Sequence, residues 1–152
     1  MGQAYIAAAT RTAGGRRKGA LRNWHPVDLG GAVLDELVRR AGVDGALVED
    51  VILGCVSQGG EQSQQIGRSA VLASSLLPDS VPAVTIDRQC GSSQQAIQFA
   101  AQAIMSGTMD MVIAAGVESM TRVPMGSPSA LYARSGTGEG PWPRSVLDRF
   151  GI

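Results

Sequence analysis

From Gln89 to Met109 the chain carries no charged side chain, although charged residues make up 17% of the whole. Within this stretch Ala96, Ile97, Ala100, Ala101 and Ile104 recur at helical spacing, and Gly107 is placed to end the helix. A helix without charge on any face is expected to be buried on most sides, and so needs other layers of structure around it. Its glutamines and serines argue against a lipid environment. No run of eighteen or more apolar residues occurs in the chain, so no membrane span is expected.

The flanking sequence supplies those layers. Short apolar runs at Tyr5–Thr10, Val51–Val56, Val81–Asp87 and 110–116 predict buried strands, although for 5–10 periodicity does not exclude a helix. Helices are predicted near 26–41, 65–76 and 90–106. The first has Pro26 and Asp28 in its opening turn, Arg39 and Arg40 at its end, and Gly42 to stop it. Leu29, Val33, Leu37 and Ala41 mark its expected core face. Strand and helix alternate, which predicts an α/β layered fold, βαβαβαβ, with a mainly parallel sheet and right-handed crossovers. Aromatics are only 4% while glycines number 20, so the core must be aliphatic with closely approaching backbones. Beyond Thr121 the prolines and glycines at 124, 128, 136, 138, 140, 141 and 143 predict an extended loop region without a core.

Charge and cysteine usage exclude several functions. Thirteen basic and thirteen acidic residues cancel, leaving no bulk attraction to nucleic acid or to an anionic membrane. The one basic cluster, Arg16-Arg17-Lys18, reads as a solvated loop, with contact to a phosphate-bearing ligand as the sharper alternative. Two cysteines make no disulfide framework, and a single histidine without a CxxC gives no metal-ligand spacing. The N-terminus lacks a signal-peptide pattern, so a cytoplasmic location is expected.

Chemistry concentrates where the third predicted strand hands over to the uncharged helix, at Asp87-Arg88-Gln89-Cys90-Gly91-Ser92-Ser93. Carboxyl ends of strands are where open α/β sheets bind ligands. A thiol at a helix N-terminus meets the positive dipole end, which favours the nucleophilic thiolate, and Gly91 leaves the approach open. Taken alone this does not separate a nucleophile from a small buried cysteine. Cys55, inside an apolar run, reads as a packing residue, and His25, just before Pro26, as a residue opening the helix.

The segment Arg88 to Ala96 resembles the nucleophile motif of the thiolases, in which a cysteine followed by Gly-Ser opens a central helix. Arg11-Thr12 with the glycines after it is similar to that family's opening. Asp50–Gly54 with Gln58-Gly59-Gly60-Glu61-Gln62 resembles its second strand and following loop, and Ala115 to Arg122 its strand-end signature. The resemblance covers about residues 4–125 in order and spacing. It implies a thiolase-like layered fold of which residues 1–120 are one half-lobe, with 121–152 the truncated start of a substrate-covering loop region. It implies an acyl-CoA acyltransferase in which Cys90 is the catalytic nucleophile and holds the acyl group as a thioester. Coenzyme A is then a co-substrate rather than a bound cofactor, acyl-CoA or 3-ketoacyl-CoA the substrate, and no metal is required.

The family's activating histidine and second cysteine come largely from its C-terminal half. The chain is therefore expected to be an N-terminal fragment, inactive alone, working as a homo-oligomer or paired with a chain that supplies that half. By resemblance, residues 57–65 and the third strand are candidate contact segments. The alternatives are a non-catalytic interaction module, one chain of a split thiolase, or a ketoacyl synthase-type condensing enzyme.

Overall fold

Three strands, β1 (Asp50–Gly54), β2 (Ala83–Ile86) and β3 (Val112–Gly116), form one parallel sheet in the order β2-β1-β3. In this computed structural model residues 2–130, 134–138 and 140–151 are described. Ile52 of β1 registers with Val84 on one side and Ala114 on the other. Helices α1 (Pro26–Ala41) and α2 (Ile66–Ala73) cover one face, and α3 (Ser92–Met105) covers the other.

The alternation of side chains along β1 builds both cores. Val51, Leu53 and Cys55 point toward α1 and α2, meeting Leu34, Val38, Ile66 and Val71. Ile52 points the other way, onto Ala96 and Ala100 of α3. Each fully buried Leu, Ile or Val side chain contributes about 1.5–3 kcal/mol. The chain moves from β1 to β2 by way of α2. It then moves back across β1 to β3 by way of α3, on the opposite face. Direction and face reverse together, so the two crossovers share one hand, as the strong bias toward right-handed connections requires.

Local signals set α1. His25 caps it, with Nδ1 accepting from Val27 N at 3.2 Å, Pro26 occupies the first turn, and Gly42 ends it in the left-handed region at φ 65°. Its buried stripe is displaced from the expected one. Gly30, Gly31, Leu34 and Val38 are buried, whereas Leu29 and Leu37 pack only partly against the core. The two glycines decide this: a Cβ on Gly30 would lie 3.0 Å from the Ala70 Cβ, and one on Gly31 3.0 Å from the Ala73 backbone. Helix α2 therefore sits against bare backbone, a packing that apolar periodicity does not register.

Asp35 ties these helices further. It accepts hydrogen bonds from Ser75 N at 3.0 Å, Ser75 Oγ at 2.6 Å, Leu76 N at 3.1 Å and the Ser74 hydroxyl, all just beyond α2. Partial burial opposes ionisation, but the Ser74, Ser75 and Leu76 donors outweigh it and hold the carboxyl below its usual range. A folded-state pKa below the unfolded one means stability present above the unfolded value, near 3.9, and lost as pH falls through the folded value. Asp35→Ala is expected to cost about 1–2 kcal/mol at pH 7 in urea unfolding, with the difference from the parent chain shrinking below about pH 4.

Two expectations are corrected. Residues 5–10 form no strand. They run beside β3 across a cavity of about 950 Å³ whose walls include Ile6, Val33, Leu37, Ile97 and Ile113. Tyr5 and Ile6 are each 78% exposed. The segment is tethered elsewhere: Gly2 lies against the Ile104 and Met105 carbonyls, Ala9 O accepts from Arg40 Nη1 at 3.3 Å, and Lys18 N donates to Thr121 Oγ1 at 3.0 Å. An apolar run becomes a strand only with a ladder partner, and here none is formed. The observed sheet is thus βαβαβ. Second, α3 is buried on its sheet-facing side only, through Ser92, Gln95, Ala96 and Ala100, while Ile97, Phe99 and Met105 are exposed.

After Thr121, where the sequence predicts an extended loop region, Arg144–Phe150 forms a helix, α4. Pro143 serves as its N-cap, Gly151 as its left-handed C-cap, and Arg144 pairs with Asp148 at 2.9 Å. The proline that argues for a breaker marks a helix start.

Candidate active site

The carboxyl ends of β1 and β3 converge under the first turn of α3. A Cβ on Gly54 would lie 2.5 Å from Ser92 C and Ser93 N, and one on Gly116 2.7 Å from the Ser93 Cβ. Two strand-end glycines therefore let the helix start rest directly on the sheet.

Cys90 sits on the turn that enters this helix. The structure places it one residue before the N-cap, Gly91, and not inside the first turn. Its side chain is exposed. Gln89 before it adopts the left-handed region at φ 46°, which an L-residue occupies at a cost. The Asp87 carboxylate compensates by accepting from Gln89 N at 2.6 Å. Ser92 Oγ closes the turn, accepting from Arg88 N at 3.0 Å and donating to Gln89 O at 2.7 Å. In the first turn of α3, the N–H groups of Ser93 and Gln94 have no carbonyl four residues back inside the helix. An exposed sulfur on a rigid turn at the positive end of a helix suits covalent catalysis.

Beside this turn lies a polar network. Glu118 follows β3 and accepts from Val56 N at 2.8 Å, Ser57 N at 3.4 Å and Gln62 Nε2 at 2.9 Å. Gln62 is fully buried, also donating to Ser57 O at 2.9 Å and accepting from Ser119 N at 2.6 Å. Cys55 is buried next to it, its Sγ 3.9 Å from Glu118 Oε2. Burial first, then the charges of Glu118 and Asp87, push the Cys55 thiol up to about 12. Cys55 is a packing residue, as its position in an apolar run predicts. Glu118 and Gln62 were visible only as members of motifs, without a role. The available signal was a carboxylate placed just after an apolar strand.

His25 is no free base: besides capping α1, its Nε2 lies 3.8 Å from Glu61 Oε2. Arg122 grips Glu61 with both Nε, at 2.5 Å, and Nη2, at 2.7 Å, holding the Glu61 carboxyl low. Arg122 Nη1 also donates to Arg22 O at 3.1 Å, tying the basic loop to the strand-end rim. Arg16, Arg17 and Lys18 are exposed there. Among the described residues no group of three or more His, Cys, Asp or Glu side chains is arranged to hold a metal ion, and no helix is long and apolar enough to cross a membrane.

The family described as Thiolase, N-terminal domain, matches residues 4–141. The chain is 53% identical over 127 residues to the steroid 3-ketoacyl-CoA thiolase of Mycobacterium tuberculosis, covering 84% of this chain and 31% of that protein. It is 44% identical over 137 residues to the 3-oxoadipyl-CoA/3-oxo-5,6-dehydrosuberyl-CoA thiolase of Escherichia coli, covering 88% and 34%. Among solved structures, the acetyl-CoA acetyltransferase of Bacillus anthracis superposes with a TM-score of 0.77 at 37% identity, over 97% of this chain and 37% of that one. The chain spans about a third of the length of the curated relatives it matches.

Proposed function

Because the chain belongs to the thiolase family, we propose that it carries the nucleophile side of an acyl-CoA acyltransferase site, with Cys90 as the sulfur that takes up the acyl group. In that chemistry the Cys90 thiolate attacks the keto carbonyl of a 3-ketoacyl-CoA. The bond between the carbonyl carbon and its neighbour then breaks, and the acetyl-CoA carbanion leaves and takes a proton. The thiolate of coenzyme A next displaces the acyl group from Cys90 as a new thioester. Coenzyme A is a co-substrate, and no metal or resident cofactor takes part.

The observation that carries the reading is the Cys90 turn: an exposed thiol at the mouth of α3, on a backbone turn fixed by Asp87 to Gln89 and by Ser92 to Arg88 and Gln89. Among the described residues neither the one histidine nor the second cysteine is free to act as its base. His25 is occupied as a helix cap, and Cys55 stays protonated at neutral pH. The base and the proton donor lie outside residues 1–152, in whatever segment or chain supplies the other half-lobe, and the unit works as a homo-oligomer or in that pairing. The exposed Ile97, Phe99 and Met105 on α3 support such pairing. Residues 1–120 then act as the catalytic core unit and 121–152 as the start of the substrate cover, working in the cytoplasm.

Incubation with acetyl-CoA followed by peptide mass mapping is expected to place the acetyl group on Cys90 and nowhere else. Thiolysis of acetoacetyl-CoA by the isolated chain is expected to be negligible. Acetylation at Cys55, or turnover that survives Cys90→Ser, would refute the assignment.

A further inference from the structure

We propose that Glu118 is a positioning residue of this site: its carboxylate gathers the N–H groups where the chain leaves β1 and so fixes the ground beneath the turn that carries Cys90. The inference rests on Cys90 being the nucleophile.

Glu118 stands two residues past Gly116, the last residue of β3, yet its carboxylate serves another strand's loop. It takes the consecutive N–H groups of Val56 and Ser57 and the amide of the buried Gln62. No ion pair among the described residues includes it, and the nearby Arg122 is already gripped by Glu61. Its N–H partners are backbone and amide donors, which fix geometry where a mobile cation would not.

The bonds run from there to Cys90. Cys55, directly before Val56, donates its N–H to Ile86 O at 3.0 Å. Ile86 immediately precedes Asp87, and Asp87 holds the left-handed Gln89 before Cys90. A second connection runs through Val117 N, which donates to Gly54 O at 3.0 Å, and Gly54 lies against Ser92 and Ser93. Release of the carboxylate would free the 55–57 segment and, with it, the end of β2 on which the turn is built. The same carboxylate faces the Cys55 sulfur at 3.9 Å, so the group that supports one thiol also opposes ionisation of the other.

Glu118→Ala and Glu118→Gln in the whole chain test this. The glutamine keeps an oxygen for Val56 N–H but sets an NH₂ against Gln62 Nε2, so it retains part of the geometry. Site-resolved iodoacetamide labelling at neutral pH, hydrogen exchange and thermal unfolding are read on the same samples. In Glu118→Ala the Val56 and Ser57 amides are expected to exchange about tenfold faster or more, reflecting local opening. Cys90 labelling is expected to fall about threefold, because the turn no longer holds its sulfur at the positive end of α3. Glu118→Gln should lie between, which keeps the test intact where the alanine variant fails to fold. Cys90 labelling unchanged in a folded variant while the 56–57 amides open would overturn the proposal, leaving Glu118 a structural tie. Labelling that changes only in proportion to global unfolding would overturn it equally. Alkylation involves no acyl chemistry. Failure of the parent chain to accept an acetyl group on Cys90 would therefore count against the acyltransfer reading, while the labelling comparison still decides the role of Glu118.

Discussion

Gly54→Ala is expected to destabilise the chain by about 3 kcal/mol or more, on the order of 10 °C in Tm for a domain of this size. The methyl would have to occupy a point 2.5 Å from Ser92 C and Ser93 N, both backbone atoms in the first turn of α3. A flexible side chain could swing away, but a helix start held by Ser92 Oγ to Arg88 N and Gln89 O cannot move alone. The displacement would pass into the Cys90 turn, so slower Cys90 alkylation is expected along with the loss of stability. Gly14→Ala is the control. A Cβ there meets nothing within 4 Å, and its effect should stay within about 0.5 kcal/mol. Urea unfolding of the two variants beside the parent checks this, and equal midpoints for all three would show that α3 does not rest on the strand ends as described.

That contact also shows where sequence reasoning stops. The element limits of α1 were legible because its caps are local: Pro26, Gly42 and the charges near each end act within one turn. The strands 50–54, 83–86 and 112–116 were legible as apolar runs between turn signals. Residues 5–10 carry the same pattern and form no strand, because an apolar run states what can be buried and not which edge it pairs with. Gly30, Gly31, Gly54 and Gly116 have no side chain to enter a periodicity, although they set the closest approaches of helix to helix and helix to sheet.

The candidate site divides in the same way. Cys90 was legible because the features around it, a strand end, a helix start and a glycine, are adjacent in the chain. Glu118 and Gln62 lie 56 residues apart and meet only through the parallel pairing of β1 with β3. A one-dimensional reading has no access to that register, so neither residue acquires a task from the sequence. Arg122 and Glu61, 61 residues apart, escaped for the same reason.

In the folded chain at pH 8, Cys90 is expected to be alkylated far faster than Cys55, by about a thousandfold or more. Two independent effects suppress Cys55. Its sulfur is buried, with 1% of the residue exposed, so reagent reaches it only through opening. Its thiol is also pushed from 9.0 up to about 12, so the thiolate fraction at pH 8 drops by about a factor of a thousand. Cys90 suffers no such exclusion, being exposed on its turn. The same group predicts alkaline behaviour. A thiol whose folded-state pKa lies above its unfolded one leaves stability fully present below the unfolded value, near pH 9. That stability is then lost as pH rises through the folded value, near 12. Cys55→Ala should remove that part of the alkaline loss while leaving a small cavity, so its unfolding midpoint starts below the parent's at neutral pH and falls less steeply above pH 9. Rate-resolved iodoacetamide labelling with peptide mass mapping decides the main point. Faster labelling at Cys55 than at Cys90 would contradict the burial and the charge environment together. Equal rates in urea, where both sulfurs are free, would show that the selectivity belongs to the fold.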